Sequence, residues 1–452
     1  MGGVLREGGG QTRRMPVWRY SIGMFGMSIP INMIRGSMLL FYVDILGLDV
    51  RAYGVVMTVY ALIDAIDNPI LGHLSDRTRT RWGRRRPWLV VGAVILTAAF
   101  VGFFSAPTSL EGLGLVAWFA FFAIMCEAAD SMYSANYGAL LPELFPRERE
   151  RAGANALRQG FQLCALALSL AVTPLLTTQV FGTEDTTVGF TTTSRIYAVI
   201  AFTVLIFMAL SVRENPAHST PERSTFLAGL GVILRTKLFW QIGIATACYL
   251  VPLALVLATI QLYTKYALGL PVSYSLYLMA SALAVAAVGL NLWTRVVRRR
   301  GAPFAWRLAF VFLAIGFIPL FFANSLLTAA LSICVIAIGW SGLLVTNDLV
   351  QARVLDRDAR EHGHHREGLY LSAFGFFSRL TGATAGLALG SLGDWFGYYS
   401  GANPGPDPGL AFRVAISVYP FVVAVAGVVL SQFVKVPGEE PETVTVEARA
   451  VT

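Results

Sequence analysis

Apolar runs of about twenty residues recur from one end of this chain to the other, each long enough for a helix to cross a ~30 Å hydrocarbon core. Backbone polar groups in that solvent find no water, so each run must satisfy its own hydrogen bonds, and a helix does so. With 55% hydrophobic and only 14% charged residues among 452, little polar sequence remains for a water-facing domain. The expectation is an all-α membrane protein that crosses the bilayer many times.

The spans are expected at 17–46, 52–73, 87–106, 113–141, 154–178, 195–213, 239–266, 273–294, 304–323, 327–350, 368–392 and 412–434. The longest polar interruption, Val212–Lys237, separates six from six. The domain reading is a tail at 1–16, a six-helix half at 17–213, a loop at 214–238, a second half at 239–434 and a tail at 435–452. "RTRTRWGRRRP" after span 2 and "TRVVRRRGAP" after span 8 stand in equivalent places, a weak echo of duplication.

The formal charge of +8 does not point to nucleic acid, because the arginines occupy short loops between hydrophobic segments. With the N-terminus inside, outer loops and helix ends carry Arg51, Arg195, Lys265 and Arg413, and Arg35, Arg158 and Arg379 fall in or near spans. The other 28 of 35 Lys and Arg lie on the cytoplasmic side. Both termini are therefore expected in the cytoplasm, with no cleavable leader. Cys126, Cys164, Cys248 and Cys334 lie in apolar segments without CxxC spacing and read as packing residues. His362, His364 and His365 read as a solvated loop. Neither a cofactor nor a structural metal is expected, and no P-loop, HExxH or GxSxG suggests an enzyme.

The stretch "DAIDNPILGHLSDRTRTRWGRRRPW" (Asp64–Trp88) places acids inside an apolar segment. Asp64 and Asn68 are four apart and Asp67 three from Asp64, so one helical face presents two carboxylates and an amide. An ionised side chain near the bilayer centre costs roughly 2.5–3.5 kcal/mol on insertion scales. Either these acids grip a small cation or proton, or they pair with arginines of neighbouring helices. The following Asp76, Arg77 and Arg84 suit a gating cluster at the cytoplasmic face, or an orientation signal alone.

This stretch resembles the signature of the glycoside-pentoside-hexuronide cation symporters, the melibiose-permease-like branch of the major facilitator superfamily. "FYVDILGL", "YGALLPELFPRERERAGANALRQGF" and "HHREGLYLSAFGFFSRLTGA" agree with it in both halves. The resemblance implies the major facilitator fold of twelve helices in two six-helix halves, alternating access, and symport with sodium, proton or lithium. The family's cation site of two helix-2 acids and a helix-4 hydroxyl maps to Asp64, Asn68 and Ser131, with Asp67 as a substitute acid because the usual order is swapped. An amide in place of a carboxylate weakens the field for sodium, so the coupling ion is read as H+ or Na+.

Of the family's sugar-holding residues, only the helix-5 arginine is plainly present, as Arg158; the helix-1 acid falls on Ser28, and the helix-4 acid and tryptophan on Ser134 and Gly138. Glu127 and Asp130, with Ser134, share one face of span 4 and suit a rebuilt site, or Glu127 lies near the outer surface and Asp130 pairs structurally with Arg158 or Arg35. Arg35 cannot shed its proton, so it binds an anionic solute group or neutralises Asp64, Asp67 or Asp130. Arg379 matches the family's helix-11 lysine. The aromatics Tyr133, Tyr137, Trp340, Tyr370 and Phe374 are candidate sugar-stacking surfaces, none of them singled out.

The reading is a monomeric secondary transporter in an inner membrane, carrying a small-molecule solute, foremost a sugar or glycoside, with one monovalent cation. A carrier of an amphipathic or anionic solute, such as a lysolipid or organic acid, is the first alternative; a non-transporting membrane sensor is the second.

Overall fold

The structure is a computed structural model and describes residues 15–78, 80–145, 147–212, 234–362, 367–401 and 403–434; the side chains of 65–73, 76–77, 142, 148–149, 152, 354–362, 367–372 and 380 lie outside the description. Long helices account for nearly all of it. The first half comprises α1 (Val17–Ile45), α2 (Val50–Arg77), α3 (Arg86–Phe103), α4 (Gly112–Leu144), α5 (Glu148–Leu166, continued in helical turns to Val180) and α6 (Val188–Ser211). The second comprises α7 (Lys237–Ala267), α8 (Val272–Arg300), α9 (Ala302–Phe322), α10 (Leu326–His362), α11 (Glu367–Gly390) and α12 (Pro408–Phe433).

Each of the twelve expected segments falls on one of these helices, and ten of them are long and apolar enough to cross a membrane. The other two, α2 and α11, are those that carry Asp64 and Arg379. Helix ends follow local chemistry. Asp49 caps α2 by accepting from the backbone N–H groups of Arg51 and Ala52, and Gly301, at φ 84°, lets the chain reverse between α8 and α9.

The halves meet along α2 and α11, α1 and α7, and α5 and α8. The α2–α11 seam is built from glycine. A Cβ on Gly54 would lie 2.7 Å from the Gly386 carbonyl oxygen, and one on Gly386 would lie 2.7 Å from Cβ of Met57. Small residues let two backbones approach within van der Waals reach, which binds helices in lipid where the hydrophobic effect between them is weak.

At the end of the bundle remote from the two termini, polar contacts draw the halves shut. Both α1 and α7 finish in a widened π-type turn, Leu40–Ile45 and Tyr263–Ala267. Asp44 from the first accepts from Lys265 Nζ at 2.7 Å and from the Tyr266 hydroxyl of the second. Gln261 Nε2 reaches Ser37 Oγ at 3.1 Å, Gln179 Nε2 reaches Ser273 Oγ at 2.6 Å, and the backbone N–H of Gly401 donates to the Val43 carbonyl at 3.0 Å. Arg51 of α2 pairs with Asp394 beyond α11. The mouth at this end is closed.

Overpacking the seam should be felt directly. Gly54→Leu is expected to destabilise the purified protein by about 1–3 kcal/mol, read as a lower unfolding temperature in detergent; unchanged stability would mean that α2 and α11 do not approach this closely.

Candidate coupling and solute site

Arg35 defines the centre of the site. From Ile22 to Leu46 of α1 it is the sole exposed residue, while Ile31, Asn32, Met38 and Leu39, one turn to either side, are buried. A residue exposed in the middle of a buried helix looks onto an internal cavity rather than onto lipid. Its guanidinium feels Tyr60 and Asp64 of α2 and Glu127 and Asp130 of α4 electrostatically.

Those partners sit where helical spacing puts them. Tyr60 and Asp64 are four apart on α2, and Glu127 and Asp130 three apart on α4, so each pair lies on one face. Tyr60 donates its hydroxyl to Glu127 Oε2, joining the two helices, and Glu127 is only 4% exposed. Glu127 is thus a buried, hydrogen-bonded group at mid-membrane depth. Ser131, one turn on, is buried, and Ser134 turns back to the Ser131 carbonyl at 3.3 Å.

Asp64 crosses to the other half. Arg379 Nη1 of α11 lies 3.0 Å from Asp64 Oδ1 and also donates to the Asp64 carbonyl. The two side chains are 18% and 26% exposed, so the pair is open to water at one edge. Of the two sequence readings of Asp64, arginine pairing is therefore the one seen in this conformation. Asp67 and Asn68, expected beside it, and Asp76 and Arg77 of the expected gating cluster, have side chains outside the described residues. The third gating candidate, Arg84, donates to Glu143 at 2.7 Å, with Arg85 at 3.0 Å from the same oxygen, which ties the α2–α3 loop to the end of α4 within one half.

Arg158 is set apart from this cluster. It lies beside Tyr20 and Tyr137, its guanidinium 5.9 Å from the Tyr137 ring centre, and these two tyrosines stack at 4.6 Å and exchange hydroxyl-to-carbonyl hydrogen bonds of 2.9 and 3.0 Å. Its Nε is buried without a partner. Ser28, the counterpart of the family's helix-1 acid, is buried in α1. Tyr133, Tyr137 and Phe374 are buried as packing residues, whereas Trp340 is half-buried with its indole N–H unpaired; Tyr370, His362, His364 and His365 have side chains outside the described residues. Among the described residues, no group of three or more His, Cys, Asp and Glu is placed to hold a metal ion.

Sequence reasoning missed two groups. Asp348 of α10 is exposed beside Tyr249 of α7. Its neighbour Asn347 accepts from Thr246 of α7 at 3.0 Å, while the Ile338 carbonyl accepts from Trp293 of α8 at 2.8 Å, so α7 and α8 flank α10 and Asp348 points between them. The signal was present as the polar run "TND" inside a span. The Asp44–Lys265 lock was missed too, because both residues close apolar segments and were read as helix ends.

The MFS/sugar transport protein family model matches residues 19–438. The chain belongs to the MFS/sugar transport family. This agrees with the resemblance read from the α2 stretch, and with a transporter rather than an enzyme. An uncharacterized symporter of Synechocystis is 30% identical over 201 residues, 43% of this chain and 37% of that relative, so the chain spans well under half of its length in that match. A putative 2,3-dihydroxypropane-1-sulfonate exporter of Salmonella typhimurium is 25% identical over 91% of this chain and 90% of its own. Among solved structures, the nucleoside transporter NupG superposes with a TM-score of 0.68 at 12% identity, over 92% of this chain and 99% of that one, which shows the fold. As a member of the MFS/sugar transport family, the chain is a multi-pass integral membrane protein.

Two measurements test this geometry. Arg379→Ala leaves the Asp64 carboxylate without its cation, so adding Asp64→Asn should restore part of the lost stability, with a coupling of about 0.5–3 kcal/mol in a double-mutant cycle; strict additivity would show that the pair does not interact. Lys265→Ala should release the closed mouth, so that a cysteine at Ser37 reacts several-fold faster with a membrane-impermeant maleimide added on the face remote from the termini. An unchanged rate would show that the Asp44–Lys265 contact does not hold that mouth shut.

Proposed function

We propose that this chain is a secondary active transporter of an inner membrane, with both termini cytoplasmic, that moves a small polar solute by symport with a proton or sodium ion. The observation that carries the reading is the mid-membrane cluster of Asp64, Glu127 and Asp130 against Arg35 and Arg379. Among these groups negative charge exceeds positive by one when all are ionised, and one monovalent cation balances it. Asp64 and Ser131, with Asp67 and Asn68 on the same face of α2, form the coupling site.

Cation or proton arrival at Asp64 weakens its hold on Arg379. Because that pair joins α2 to α11, loading the site bears on the seam between the halves, and this differential interaction lets binding shift the balance of conformations. The closed Asp44–Lys265 mouth makes the conformation described here inward-facing. Arg158, Arg379 and Asp348 then face solute entering from the cytoplasmic side, and supply donors from both halves and an acceptor from α10. Such a mixed set suits the hydroxyl-rich surface of a sugar or glycoside, with the unpaired Trp340 N–H as a further donor. Ser28, Ser134 and Asp130 extend the polar lining.

A second reading keeps the transport and changes the cargo. Arg35 is exposed on α1 and makes no ion pair among the described residues, which suits an anionic group on the solute, and 2,3-dihydroxypropane-1-sulfonate, for which one relative is named, carries both hydroxyls and a negative charge. The anion reading then gives Arg35 the solute and leaves the carboxylates to the cation.

Reconstituted vesicles with an imposed proton or sodium gradient, offered a panel of neutral sugars and hydroxylated anions, decide among these. Wild-type protein should accumulate at least one solute only when a gradient is present, and Asp64→Asn should abolish the gradient dependence. Uptake of no solute under either gradient would remove the transport reading and favour a sensor.

A further inference from the structure

Resting on the transport reading above, we propose that Glu127 is a second coupling group, a proton carrier whose charge state decides whether Arg35 serves the carboxylates or the solute. Glu127 lies a full turn from Ser131 and on a different helix from the α2 acids, and its environment is unlike theirs. Asp64 is edge-exposed and held by a guanidinium at 3.0 Å, whereas Glu127 is buried and held by a neutral phenol. A lone carboxylate whose only direct hydrogen bond is from a hydroxyl retains its charge at a desolvation cost, and gains by taking a proton.

The charged or titratable groups that act on Glu127 can be named among the described residues. From α2 come Tyr60 and Asp64, from α1 Arg35, and from α4 itself Asp130; Cys126 lies adjacent on α4. Arg379 of α11 reaches this set through Asp64. Among the described residues the cation directed at Glu127 is Arg35, which also answers to Asp64 and Asp130 and is exposed on an otherwise buried α1. With Glu127 ionised, Arg35 is drawn between three carboxylates. With Glu127 protonated, Asp64 stays paired with Arg379 and one carboxylate fewer draws on Arg35, so an anionic or strongly hydrogen-bonding solute group competes for it on better terms.

The step is a proton equilibrium and balances without any other reactant. A proton from water in the cavity binds the Glu127 carboxylate, solute binds Arg35, and after the halves rock the proton and solute leave together on the other side. The substrate class this favours is a small hydroxylated anion, whose single negative charge would travel with one proton. Tyr60 acts as a positioning residue: its hydroxyl holds the Glu127 carboxylate and ties α2 to α4 at this point.

The test uses full-length protein and two readouts. In vesicles, Glu127→Gln should lose pH-gradient-driven accumulation by tenfold or more while keeping exchange of labelled for unlabelled solute at equal concentrations, because the neutral side chain mimics the protonated, solute-ready state. Tyr60→Phe should keep accumulation and displace the pH profile of uptake, since the hydroxyl bonded to Glu127 is gone, a change that a merely structural role would not produce. In detergent without solute, infrared difference spectra between acid and alkaline pH should lose one protonated-carboxyl band in Glu127→Gln. A gradient-driven Glu127→Gln carrier, or an unchanged infrared spectrum, overturns the inference and leaves Asp64 as the coupling group. Wild-type protein that moves no solute overturns the transport reading itself, while the infrared band still decides whether Glu127 takes a proton.

Discussion

Carboxylates in the middle of a membrane bundle must find positive charge, and among the described residues Asp64, Glu127 and Asp130 are set against the guanidinium groups of Arg35 and Arg379. Arg379 satisfies Asp64 from across the seam between halves, and Arg35 is shared among Asp64, Glu127 and Asp130. The helices assemble this cluster: α2 brings Tyr60 and Asp64 to one face, α4 brings Glu127 and Asp130, and Arg35 is exposed on an otherwise buried stretch of α1. A fully neutralised cluster would make a more stable protein and a poor responder to ions.

The arrangement of contacts between the halves places that cluster at a hinge of sorts. Toward the face remote from the termini lie the glycine seam of α2 and α11 and the Asp44–Lys265 lock; the Asp64–Arg379 pair lies at the inner end of the same seam. A change in charge at Asp64 is therefore felt where α2 meets α11. Glycine contacts are suited to such a surface, because they carry no interdigitating side chains that a rocking motion must unpick.

The architecture was legible because a hydrocarbon solvent leaves few choices: apolar runs of the right length become helices, and each expected segment is one. Boundaries were less so, since polar ends such as Glu148–Arg151 and Ala352–His362 continue as helix beyond the apolar part. Of the site, Arg379 was legible as a charge of the second half through the family resemblance, but its pairing with Asp64 was not, because pairing across the two halves depends on tertiary placement. Glu127 was read as a solute ligand, on the strength of its spacing from Asp130 and Ser134; the structure puts it against Tyr60, a residue without any signal in the sequence, since a tyrosine in a chain with 12% aromatics looks like packing. Asp348 was visible and passed over, being one acid in a helix end rich in them.

The paired widened turns at the ends of α1 and α7 have an evolutionary consequence. If the two halves descend from one duplicated ancestor, these turns are the same element twice, and a faithful copy would set like side chains against each other across the pseudo-symmetry axis. An acid facing its own duplicate repels, so the closed state could not have been held by this pair until one copy exchanged sign. Asp44 in one repeat and Lys265 in the other record that divergence, which turned a symmetric ring of helices into a clasp with a polarity.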